Sequence, residues 1–270
     1  MYRREEQRIL KCAILVAMAD EIPFSEIKSA IHPELESLYR RYGFEVFYVY
    51  GEKQTPLERK IRRRVEEIRW GRFHIILRLY DFLFLNLYRF FHPKISLEKG
   101  NIFVDVPEDI RHLSVKILSA LELLIHQDYE VIIRTTVSSI LNPKLLMDFC
   151  TQFGQEDAIY YGGRQIKQSD GFEFVSGSFT IWNNSAVNFL LDSRTNLDFS
   201  LVDDVCFGRI FRSAGIPVKS VPSLIVRDFS EIPAKRELEK TIHFRCRTGV
   251  DVRDDVPVMR RLLGLLVNIL

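Results

Sequence analysis

Two adjacent carboxylates, Asp203 and Asp204, open the run Asp203-Asp204-Val205-Cys206-Phe207-Gly208. An acid at the start of a helix is stabilised by the helix dipole, and a carboxylate beside another is pushed toward the pKa a general base needs. The same pair would also serve as helix N-capping residues. Upstream, Arg134 precedes Thr135, Thr136, Ser138 and Ser139. A guanidinium fork suits a phosphate, and hydroxyls suit phosphate or sugar oxygens. The alternative for this hydroxyl-rich loop is a Ser/Thr cap leading into Pro143. Ser176-Gly177-Ser178 reads as a small-residue turn that lets a ligand approach the backbone, with Trp182 close behind as a sugar platform or a core residue. Near the end of the chain lie His243, Arg245 and Arg247; guanidiniums suit an anion, whereas a lone histidine is more often a structural residue.

Positioning such groups requires a frame, and the hydropathy pattern supplies one. Residues 9–18 form a short apolar run and read as a buried parallel strand, 24–42 as a helix, and 44–50 (FEVFYVY) as a second strand. Strands over 101–106 and 129–134 flank a helix over 110–127, and a helix over 143–153 leads to a strand near 158–161. A hairpin-like segment over 171–178 precedes a helix at 185–191. A helix over 203–214, a strand over 218–226 and a C-terminal helix over 256–270 complete the reading. Alternating strands and helices imply an α/β fold, a mostly parallel sheet flanked by helices in one domain over residues 1–270. In such sheets ligands sit at the carboxyl ends of the strands. That rule places Asp20 and Asp105 near a bound ligand, alongside the loop after Arg134.

One segment, about 56–92, interrupts the rhythm as a helical insertion. Its first half is basic (Arg59, Lys60, Arg62, Arg63, Arg64, Arg69) and its second is the aromatic run FHIILRLYDFLFLNLYRFF. Arg78, Asp81 and Arg89 make a full membrane span costly, at about 2–3 kcal/mol each near a bilayer centre. The composition suits either peripheral docking on the inner face of a membrane or packing on the domain's own core or on a second copy of the chain. The run 9–19 is too short to span, contains Lys11 and leads to Asp20, so neither a leader nor an anchor is expected. Four scattered cysteines form no CxxC pair and read as reduced thiols of a cytoplasmic protein. A net charge of +2 gives no general case for nucleic acid binding, and neither GxGxxG nor GxxxxGK[ST] occurs.

Four segments together carry a family resemblance. They are Asp105 with Asp109 and Leu113-Ser114-Val115-Lys116; the strand Tyr129-Glu130-Val131-Ile132-Ile133-Arg134; Val175-Ser176-Gly177-Ser178; and Asp203-Asp204-Val205 with Gly208. In this order they resemble the GT-A glycosyltransferases of the β1,3-galactosyltransferase and fringe type (glycosyltransferase family 31). The resemblance implies a GT-A fold and inverting transfer of a hexose from a nucleotide-diphosphate donor such as a UDP-sugar. The acceptor would be a hydroxyl of a glycan or lipid-linked glycan, as in polysaccharide biosynthesis. Asp203 or Asp204 would then be the base; Asp20, Asp105, Lys116, Arg134, Thr135, Thr136, Ser138, Ser139, His243, Arg245 and Arg247 would bind the donor; and Ser176, Gly177, Ser178 and Trp182 would face the sugar. The family's divalent metal, Mn²⁺ or Mg²⁺, is held by an Asp-rich motif, but here the corresponding stretch is Arg134-Thr135-Thr136-Val137-Ser138-Ser139, without a carboxylate. Metal-independent transfer, with Arg134 and Arg245 or Arg247 on the diphosphate, is the resulting expectation. The rival is a catalytically silent GT-A-like domain that binds glycan or nucleotide sugar or scaffolds partners.

Overall fold

The computed structural model describes residues 10–19, 23–52, 82–153, 158–249 and 254–270. Its centre is β1 (Cys12–Ala17), whose sequence CAILVA is apolar on both faces and therefore needs cover on both. α1 (Phe24–Arg41) turns Ile27, Ile31, Leu35 and Leu38 inward at helical spacing, and returns the chain to β2 (Phe44–Glu52), parallel to β1. Past residues 53–81 come β3 (Ile95–Glu98) and β4 (Asn101–Pro107), then α2 (Leu113–Ile125) and β5 (Val131–Thr136). β6 (Ser139–Leu141), α3 (Pro143–Phe153), β7 (Tyr161–Lys167), β8 (Glu173–Asn183), α4 (Asn184–Asp192) and α5 (Asp203–Ser213) follow. The chain closes with β9 (Lys219–Ser220), β10 (Ser223–Val226), α6 (Lys235–Leu238), β11 (His243–Cys246) and α7 (Asp255–Val267).

The main sheet has the order β3-β4-β2-β1-β5-β8-β7-β9. Its middle, β4-β2-β1-β5, is parallel, whereas β8 runs antiparallel to both β5 and β7. The expected α/β architecture is present: one face of the sheet packs on α1, α3 and α7, the other on α2, α4 and α5. Alternate residues of β1 divide between the two cores, Cys12, Ile14 and Val16 on one side and Ala13 and Leu15 on the other. A second sheet, β10-β11-β6, packs on the α1 side through Ile140, Phe244 and Cys246.

Several local expectations are corrected. The hydroxyl-rich segment after Arg134 is mostly strand and not a helix cap: Thr135 and Thr136 end β5, Ser139 begins β6, and only Val137 and Ser138 form the turn between them. The strand expected near 158–161 lies at Tyr161–Lys167, and the hairpin-like segment extends to Asn183 as one long strand. The strand expected over 218–226 is two short strands in different sheets, broken at Pro222, which cannot donate a ladder hydrogen bond. β3 and β11 had no counterpart in the sequence reading.

Most of the basic and aromatic insertion, 53–81, lies outside the described residues. Within 82–91, Leu85 enters the core while Phe82, Leu83, Phe84, Leu87, Phe90 and Phe91 are exposed. Asn86 and Arg89 fasten this stretch to the loop before α5, by bonds to Phe199 N (3.1 Å) and Leu197 O (2.6 Å). Core packing therefore does not account for most of its apolar side chains. Among the described residues no helix is long and apolar enough to cross a membrane.

β8 departs from regular pairing at one place that shapes everything below. Gly163 pairs with Thr180 and Gln165 with Val175, so Arg164 alone opposes residues 176–179. This bulge is closed at its base by Gly163, where φ is +144° and an added Cβ would lie 2.2 Å from Phe179 O. Gly163→Ala is expected to destabilise the fold by at least about 2 kcal/mol, read as a lower urea midpoint. Gly264→Ala, in open space on α7, should instead stabilise by about 0.5–1 kcal/mol.

Candidate active site

Arg134 projects from β5 on the α2–α5 side of the sheet, on the same face as Ile132. Its Nη2 meets Asp203 Oδ2 at 2.9 Å, and both side chains are almost fully buried (3% and 4% exposed). The guanidinium sits against the bulge: a Cβ added at Gly177 would fall 1.9 Å from Arg134 Nη1. A side chain there would have to displace the guanidinium from its buried pair with Asp203. Arg134 Nε and Nη1 are buried without a hydrogen-bond partner, so the guanidinium keeps unused donors at the bulge.

Asp204 faces the other way from its neighbour and is only partly buried. Its Oδ2 accepts from Gly177 N at 3.0 Å, and its Oδ1 from Val205 N at 2.9 Å. Neither acid is the N-cap of α5; that residue is Val202, and both acids sit in the first turn, where the dipole favours them. α5 reaches β8 because Gly208 has no side chain: an added Cβ would lie 2.6 Å from Phe174 Cβ. Burial pushes Asp203 up to about 6, against the pull of Arg134 and with the charge of Asp204 adding to the rise.

The bulge is held by its own hydroxyls. Ser178 N donates to Ser176 Oγ (3.2 Å), Thr180 Oγ1 to Ser176 O (3.1 Å), and Thr135 Oγ1 to Ser178 O (3.2 Å). Arg164 Nη1 comes within 3.5 Å of Ser176 Oγ. Beyond Thr136, whose hydroxyl meets Ser139 Oγ at 3.0 Å, Ser139 meets His243 Nε2 at 3.1 Å. His243 is fully buried, stacks on Phe179 (centroids 4.6 Å apart), and is held well below its usual pKa by burial and then by Arg164 and Arg245. Burial thus keeps the imidazole neutral.

The remaining sequence candidates fall elsewhere. Trp182 is 1% exposed and packs edge-on to Phe207, so it is a core residue rather than an open sugar platform. Lys116 is buried between Met18 O (3.4 Å) and the carboxylate of Glu108, which also accepts from Gly51 N. This cluster ties together the carboxyl ends of β1, β2 and β4. Asp105 is an exposed residue within β4, and Asp20 lies outside the described residues. Ser138 is buried in the β5–β6 turn. Arg245 and Arg247 lie at the end of β11, where Arg247 neighbours Arg164 and Arg227, residues that no sequence motif singles out. An isolated arginine on β7 carries no signal of the bulge opposite it.

A divalent cation does not fit the residues after Arg134. They offer hydroxyls and a guanidinium but no carboxylate, and among the described residues no group of three His, Cys, Asp or Glu side chains could hold a metal.

No family model matches the chain, and no curated protein does. Similar solved structures include a glycosyltransferase involved in the glycosylation of the major capsid of PBCV-1, at 10% identity over 94% of this chain and 98% of that one, with a TM-score of 0.45. Another is a protein assigned as a nucleotide-diphospho-sugar transferase from Desulfovibrio desulfuricans G20, at 10% identity over 97% and 99%, with a TM-score of 0.38.

Asp203 makes stability depend on pH in a defined sense. Its folded pKa of about 6 lies above the unfolded value near 3.9, so the folded state binds the proton more tightly. Its contribution is complete below about pH 4 and is lost as pH rises through about 6. His32 and His243, held below their usual range by burial, contribute slopes of the opposite sign in the same window, so the test is the difference between proteins. Asp203→Asn should make stability rise more steeply with pH, or fall less steeply, than in the wild type, and a slope unchanged by the substitution would contradict the assignment.

Proposed function

We propose that this protein is a glycosyltransferase that moves a sugar from a nucleotide-diphosphate donor to a hydroxyl of a glycan acceptor. One observation supports this reading above the others. Three of the sequence segments that resemble glycosyltransferase motifs, about 70 residues apart from first to last, meet at one point: Arg134 pairs with Asp203, lies over Gly177, and Gly177 holds Asp204. The fourth segment joins them where Ser114 Oγ donates to Leu201 O at 3.1 Å, just ahead of α5.

In this reading Asp204 is the base. Being partly accessible and held by two backbone N–H groups, it keeps one orientation beside the bulge. It takes the proton of the acceptor hydroxyl as that oxygen bonds to the anomeric carbon. The bond from that carbon to the donor's phosphate oxygen breaks, and its electron pair leaves with the diphosphate. A single in-line displacement inverts the anomeric centre. Asp203 and Arg134 are positioning residues: buried and paired, they hold α5 and the bulge at the right separation. The turn at Ser176-Gly177-Ser178 offers hydroxyls and close backbone approach to the sugar.

A panel of nucleotide sugars, screened by thermal shift and by donor hydrolysis or transfer, checks the reading. The wild type is expected to be stabilised by one donor and to turn it over. Asp204→Asn should retain binding while losing about 10²- to 10⁴-fold in rate. Binding without turnover in the wild type would favour the silent, glycan-binding or scaffolding domain. If no nucleotide sugar binds, the transferase reading falls.

A further inference from the structure

The small sheet gathers arginines on one face. Within β11, Phe244 and Cys246 point into the core, so His243 and Arg245 face the opposite side, and the alternation continues toward Arg247. β10 pairs in parallel register, Ser223 with His243 and Ile225 with Arg245, which carries Arg227 to the same edge. Arg164 arrives from β7, opposite the bulge. Arg247 and Arg227 both act electrostatically on Arg164, after burial, to weaken its hold on its proton. Arg164 is thus close enough to both to be repelled by them, and Arg164 and Arg245 together act on the buried imidazole of His243.

Compensation within the protein is partial. Glu231 pairs with Arg227 (3.1 Å), but among the described residues Arg164 and Arg247 meet no carboxylate. The backbone nevertheless fixes both arginines. Arg247 N donates to Val226 O at 3.0 Å, and the next residue, Thr248, is tied by N and Oγ1 to the buried carboxylate of Asp255 (2.8 and 2.9 Å). Arg164 is held against Ser176, one residue from the Gly177 that orients Asp204. Like charges assembled on a rigid frame are stabilised by an anion placed among them.

We propose that Arg164 and Arg247, with Arg227 and Arg245 at their edge, form a metal-free site for a phosphoanhydride, the diphosphate of a nucleotide donor. The proposal rests on the glycosyltransferase reading for the donor's identity but not for the anion site itself. The bulge then separates two tasks. Gly177 presents the base on one side, and Ser176 and Arg164 receive the leaving diphosphate on the other. The guanidiniums supply the positive charge that a cation would otherwise bring to the departing oxygens.

Titration calorimetry with inorganic pyrophosphate in EDTA tests the site on the full chain. Wild type should bind, and Arg164→Gln and Arg247→Gln should each weaken binding by about tenfold or more. Arg40→Gln, a change at an exposed arginine of α1, should leave it unchanged. Should Arg164→Gln fail to fold, Arg247→Gln on an exposed side chain gives the answer alone. Binding that requires Mn²⁺ or Mg²⁺, or that weakens equally in Arg40→Gln, would overturn the proposal and leave the transferase reading standing. Pyrophosphate binding as expected, with no nucleotide sugar bound, would uphold the arginine site and overturn the transferase reading.

Discussion

The buried ion pair between Arg134 and Asp203 is the interaction on which the rest of the site depends. Two charges removed from water are tolerated only when each offsets the other, and losing one partner of such a pair typically costs about 3–5 kcal/mol. Here the pair also does spatial work. Arg134 belongs to a central strand and cannot shift without the sheet, Asp203 opens α5, and the guanidinium fills the space above Gly177. The pair thereby fixes the distance between β5, the bulge of β8 and the start of α5. Asp204 inherits its position from this arrangement, since the N–H that orients it belongs to the residue beneath the arginine.

The pair sits where the sheet changes character. From β4 to β5 the strands are parallel, and from β5 to β8 the pairing turns antiparallel. The long strand β8 can buckle because β7 contributes a single residue, Arg164, opposite four. Regular pairing on both sides would leave no room for the guanidinium. The small sheet closes the same region from the other face of the main sheet, bringing β11 close enough for His243 to stack on Phe179. One irregularity thus connects the acidic side of the site to its arginine-rich side.

Much of the frame was legible in the residues. β1, α1, β2, α2, α5 and α7 carry strong apolar periodicity or β-branched and aromatic runs, and local pattern sufficed for them. β11 did not read, because HFRC mixes core residues with a buried histidine and a half-buried arginine whose neighbours are remote in sequence. Within the site, Asp203, Asp204, Gly177 and Arg134 were recognisable by type and order, yet their mutual contacts were not. Arg134 read as a phosphate ligand; its nearest charge is Asp203, a relation that depends on the packing of α5 against β8. Trp182 illustrates the reverse: its residue type suggests a sugar platform, but strand alternation on β8 turns it toward Phe207. Arg164 carried no local signal, since its meaning comes entirely from the bulge and from arginines about 60–80 residues later.

The most direct measurement is an experimental structure of the protein bound to the nucleotide sugar that stabilises it, determined with EDTA present. The anomeric carbon is expected beside the Asp204 carboxylate at the 176–178 bulge, with the diphosphate against Arg164 and Arg247. A donor bound away from this bulge, or a sugar turned from Asp204 with the diphosphate on other groups, would contradict it.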